Sequence, residues 1–146
     1  MPNPDRVIAR FEQQSAQKPV YVGVFLDPSE HQKLLAWWEK ETGLPLLGLL
    51  TDGHMTIKFK PTPEDLAKIP LNERVQMKVI GWAADEKGQA VLVDSNTPSF
   101  NAHPHITIST EPPTRAVYSN ELLARGHTRV SGPTLTGVVD TFPRGR

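Results

Sequence analysis

The chain has 146 residues, with 16 Lys and Arg against 16 Asp and Glu, no cysteine, 14 prolines and 10 glycines. A neutral chain has no global electrostatic grip on polymeric nucleic acid, and without cysteine there are no disulfides, thiolate nucleophiles or cysteine-bound zinc. A chain of this length buries about 70% of its unfolded surface, enough for one core, and the proline and glycine content suits short strands with many turns.

Residues 1–18 are polar, with Val7, Ile8 and Phe11 marking a short helix in an N-terminal extension. The opening MPNPDRVIARFEQQ lacks the apolar centre of a signal peptide, and no apolar run approaches the about 18 residues of a membrane span. A soluble, cytoplasmic protein with no membrane contact is expected. Residues 19–26 (PVYVGVFL) read as a strand, with Tyr21, Gly23 and Phe25 on one face and Val20, Val22, Val24 and Leu26 on the other. In 27–43, Asp27 is a candidate N-cap, Pro28 takes the first helical position and Gly43 stops the helix. Leu34, Leu35 and Trp38 form its apolar stripe.

Pro45 and Gly48 break the apolar run 44–50 into a loop or irregular edge strand. Alternation resumes in 53–60 (GHMTIKFK), and a short helix capped by Thr62 follows at 63–68. Residues 73–84 (ERVQMKVIGWAA) form a hairpin with 89–93 through the turn at Asp85–Gly88. After a loop over 95–102 comes the strand 103–110 (HPHITIST). Ser119 is a candidate N-cap for a helix that Gly126 ends, and 134–140 (TLTGVVD) is the last strand. Antiparallel strands with a few helices make an α+β domain.

Two strands carry the chemistry. In 54–59, His54, Thr56 and Lys58 point one way, and Met55, Ile57 and Phe59 the other. In 105–109, His105, Thr107 and Ser109 oppose Ile106 and Ile108. Each strand thus gives the core an apolar face and carries a His-x-Thr pair on its back, the two pairs 51 residues apart. Two imidazoles suit acid–base work at one phosphorus, since with a pKa near 6.5 one ring accepts a proton while the other donates. A threonine hydroxyl two residues along, roughly 6–7 Å away on the same face, is placed to bind a phosphate oxygen.

His54-Met55-Thr56 and His105-Ile106-Thr107 resemble the two motifs that define the 2H phosphoesterases. Around the second motif the likeness extends to Pro104-His105-Ile106-Thr107-Ile108 with Ser119-Asn120-Glu121-Leu122 downstream. This is similar to the cyclic phosphodiesterase domain of fungal tRNA ligases and to the small phage anti-CBASS nucleases that destroy cyclic nucleotide alarm signals. The resemblance spans roughly residues 19–140, and departs from the family in the proline-broken stretch before the first motif and the short segment between the two.

It implies a single domain over 19–142 with a two-lobed, LigT-like α+β fold: antiparallel sheets facing across a cleft, helices outside. It further implies His54, Thr56, His105 and Thr107 as the catalytic set, with Tyr21, Lys58, Ser109 and Asn120 as substrate contacts. No metal, cofactor or protein partner is called for. The substrate implied first is a cyclic nucleotide or cyclic oligonucleotide, and second an RNA terminus ending in a 2′,3′-cyclic phosphate. For a substrate that retains a ribose 2′-OH, one histidine takes its proton and the other protonates the leaving 5′-oxygen. For a cyclic end, water replaces the hydroxyl and the roles run in reverse.

Other readings stand beside this one. His103 and His105 have the i, i+2 spacing of a strand-borne zinc pair with His54 as third ligand, although no acidic ligand or cysteine is close in sequence. A non-catalytic sponge that sequesters a cyclic nucleotide needs the same surface without turnover. Trp37, Trp38 and Trp82 read as packing residues, His31 as a solvated helix residue, and Arg115 and Arg125 as candidate phosphate contacts.

Overall fold

The alternating segments all become strands. The computed structural model describes residues 19–97, 99 and 102–143, so the helix expected around Val7 lies outside the described residues. The order is β1 (Tyr21–Leu26), α1 (Pro28–Thr42), β2 (Leu49–Leu50), β3 (His54–Phe59), α2 (Pro63–Ala67), β4 (Arg74–Ala84), β5 (Gly88–Ser95), β6 (His105–Thr110), α3 (Tyr118–Ala124), β7 (Thr128–Arg129) and β8 (Thr134–Phe142). Proline opens α1 and Gly43 closes it in the left-handed region at φ 68°, its N–H donating to the Glu39 carbonyl. Asp27 precedes the helix in extended conformation but makes no side-chain cap; its carboxylate accepts from Arg74 at 2.8 Å. In α2, Thr62 and Asp65 form a reciprocal capping box.

The cap expected from Ser119 is not made. Val117 precedes α3, and Ser119 lies inside its first turn with its hydroxyl 2.8 Å from that of Thr107. A buried tertiary partner has taken the side chain that would otherwise have capped the helix.

The strands pair antiparallel in the order β6–β3–β1–β8–β4–β5, and β5 pairs again with β6. This α+β architecture is therefore a closed six-stranded antiparallel barrel with few helices. β2 adds to β6 and β7 to β4. The facing sheets expected from the sequence are instead one continuous ring, because β6 hydrogen-bonds to a neighbour on each side.

A closed sheet has one inner face, and the side chains of all six barrel strands that touch in one nearly solvent-free cluster occupy it. They include Val22, Val24, Met55, Ile57, Met77, Val79, Val91, Val93, Ile106, Ile108, Leu135 and Val139, joined by Leu34 and Trp38 of α1. Trp38 meets Trp82 edge-on at 5.5 Å. The alternate residues of the same strands face outwards. Among the described residues, no helix is long and apolar enough to cross a membrane.

Candidate functional site

β3 and β6 are antiparallel neighbours joined at Met55 and Ile106. Because the registers run in opposite directions, His54 comes level with Thr107 and His105 level with Thr56. The two His-x-Thr pairs are thus side by side on the outer face, related by a local two-fold arrangement. Their intervening residues Met55, Ile57, Ile106 and Ile108 are all core.

Each ring is held through the same nitrogen. His54 Nδ1 lies 2.6 Å from Asp52 Oδ1, and His105 Nδ1 lies 2.7 Å from the His103 carbonyl oxygen. Both partners only accept, so both rings carry a proton on Nδ1, which leaves Nε2 as the nitrogen not used in these contacts. His54 also stacks against Tyr21 at 4.9 Å and Phe25 at 5.4 Å, two rings that lie 6.0 Å from each other, and Phe142 stacks on Tyr21 at 5.1 Å.

The electrostatics of the two rings differ. Burial pushes His105 below the ordinary imidazole range; its bond to the His103 carbonyl works the other way, and the neighbouring His54 and His103 rings add to the lowering. Asp52 is held below the usual carboxylate range, first by its hydrogen bond from His54, and the His31 ring contributes. Tyr21 is pushed up to about 12 by burial and by the charge of Asp52.

The remaining residues singled out in the sequence divide. Thr107 is buried against Ser119, with the Ala116 carbonyl 3.4 Å from its hydroxyl. Thr56 lies on β3 beside His54, where its carbonyl accepts from Ser99. Ser109 is fully buried; it donates to Gln89 and accepts from the Leu47 N–H, so it ties down the 44–50 loop. Lys58 is level with Val22 across a bulge in the β1–β3 pairing, and its charge acts on Asp65 of α2. Asn120 of α3 donates to the carbonyl of Val117, just before the helix. Arg125 engages Tyr118, Asp85 and Glu121.

Two residues near His54 escaped the sequence reading. Asp52 is the closer; its position two before the histidine in Asp52-Gly53-His54 was the available signal. His31, read as solvated, is half-buried against Gly53, with its Nε2 buried and without a hydrogen-bond partner among the described residues. Among the described residues, no three or more His, Asp or Glu side chains come together as a metal site. Two cavities, of about 670 and 600 Å³, lie away from the histidines, one beside Arg74 and Lys78 and one beside α1.

No family model matches the chain, and no curated protein does at a significant level. Among solved structures it is similar to the crystal structure of a fungal RNA kinase, with a TM-score of 0.60 at 14% identity. The likeness covers 84% of this chain and 46% of that one, so the chain spans about half the length of that structure. At this identity the likeness is one of fold.

Proposed function

We propose that residues 19–142 form a 2H-type phosphodiesterase domain that cleaves a nucleotide phosphodiester by two-histidine acid–base catalysis. The observation that carries this reading is the pair of imidazoles on the same face of neighbouring strands, each held through Nδ1. The two strands then serve as adjacent strips of one active-site floor, on the outer face of the barrel. A phosphodiester lying between them has one Nε2 for the attacking oxygen's proton and one for the leaving oxygen. Thr56 and Thr107 lie beside the rings for the non-bridging oxygens.

The substrate is a phosphodiester next to a ribose oxygen. The chain's neutral charge favours a short cyclic nucleotide, while a structural neighbour that is an RNA kinase keeps RNA as the second candidate, through an end with a 2′,3′-cyclic phosphate. The test is incubation with excess cyclic dinucleotides, cyclic trinucleotides, 2′,3′-cyclic mononucleotides and a cyclic-phosphate RNA end, all with EDTA. Turnover of at least one of these is expected. Stoichiometric binding with the ligand recovered intact would overturn the enzyme and leave the sponge.

A further inference from the structure

We propose that Asp52 is a positioning residue that makes His54 the acid of the pair and leaves His105 the base. This rests on the phosphodiesterase reading above and goes beyond it by assigning the direction of proton flow.

The turn before β3 holds Asp52 in place. Thr51 donates its N–H to the Ile108 carbonyl at 3.2 Å, and the Gly53 carbonyl accepts from the Leu26 N–H at 3.0 Å. Asp52 is thereby pinned between two anchored residues. Gly53 has φ 75°, and a side chain there would meet the His31 ring at 2.8 Å, so the turn is both left-handed and packed from behind. The result is a carboxylate 2.6 Å from His54 Nδ1 on a backbone with little freedom to withdraw it. The other groups around this site are the His31 ring behind the turn, the Tyr21 ring on one face of His54, and His105 on the neighbouring strand.

The two histidines are therefore held by partners of unlike charge. A protonated His54 has an anionic partner, whereas a protonated His105 has a neutral carbonyl and a second ring nearby. A carboxylate behind an imidazole fixes its tautomer and compensates the cation that forms. In the reaction on a substrate that retains its ribose 2′-OH, His105 Nε2 takes the proton of that hydroxyl as the new O–P bond forms. The P–O bond to the leaving oxygen breaks with its electron pair on that oxygen, and His54 gives it the proton from Nε2. His105 is left protonated and His54 neutral, and exchange with water restores both.

The experiment compares two substrates: a ribodinucleotide, whose leaving 5′-oxygen needs a proton, and uridine 3′-(4-nitrophenyl phosphate), whose leaving group departs as a stable anion. On the dinucleotide, Asp52→Asn is expected to lower kcat about 10- to 100-fold, short of the roughly 10²–10⁴ expected for losing an imidazole. Asp52→Glu recovers part of the loss. On the activated ester the deficits of Asp52→Asn and His54→Ala shrink at least tenfold, while that of His105→Ala does not. Nitrogen NMR of the free protein, at a pH high enough for the His54 ring to be neutral, shows its single proton on Nδ1 in the wild type and redistributed in Asp52→Asn. Equal deficits of Asp52→Asn on both substrates, or none on either, overturn the role of Asp52 alone. A wild type that cleaves neither these substrates nor the cyclic nucleotides and RNA end named under the proposed function overturns the phosphodiesterase reading and this role with it.

Discussion

At the scale of single residues, the site is defined by how its rings are held. Both histidines use Nδ1 for an internal acceptor, so in the proposed reaction both would use the same nitrogen without a tautomer change. His105 and His31 have native values lowered from 6.5, in each case chiefly by burial. Unfolding returns both rings to the ordinary range, so below pH 6.5 the unfolded chain takes up protons that the native rings resist. Their contribution is complete above that pH and is lost as pH falls toward the depressed native values. Urea unfolding across this window should show stability falling on acidification, with a shallower slope in His105→Gln; identical slopes would contradict the assignment. With His105 as the base of the proposed reaction, the acidic limb of the pH–rate profile should likewise lie below 6.5.

At the scale of elements, the β2–β3 turn and the docking of α3 place what the strands carry. Gly53→Ala puts a side chain in the left-handed region, which costs about 1–2 kcal/mol from the backbone alone, and drives a Cβ against His31. Its urea midpoint should fall, and turnover should fall with it as Asp52 leaves His54; an unchanged midpoint would show that the turn does not hold the site. Gly23 meets a related limit, since a Cβ there would lie 2.6 Å from the Met55 carbonyl where β1 and β3 pair.

The strands themselves were legible, because alternation such as Met55, Ile57 against His54, Thr56 fixes which side faces inwards before any partner is known. The helix α1 was legible from Pro28 and Gly43. Ser119 was not, since a serine before an apolar run looks like a cap whether or not a threonine 12 residues upstream claims its hydroxyl. Ser109 read as a site residue because parity sets direction but is silent about what covers a face; Gln89 and the 44–50 loop cover it. Asp52 left one local signal, its place two before His54, but its meeting with His31 was illegible because it depends on a turn conformation and on helix α1 returning to that turn.

At the scale of the whole molecule, barrel closure brings the two motifs together. They lie on β3 and β6, and β6 is fastened on one side to β5 and on the other to β3 and β2. Closure is a sum of long-range pairings that no local pattern announces, which is why the sequence supports an α+β class without specifying the ring. It also means that the rings are fixed relative to each other by two packed strands rather than by loops, as acid–base work at one phosphorus requires. The most direct measurement is kcat with EDTA present for His54→Ala, His105→Ala and the double variant, each checked by circular dichroism. Two-histidine catalysis predicts that each single variant loses about 10²–10⁴ in kcat, and that the double loses far less than the product of the two, since residues acting as one unit are not additive. Full turnover in either single variant with the fold intact would contradict it.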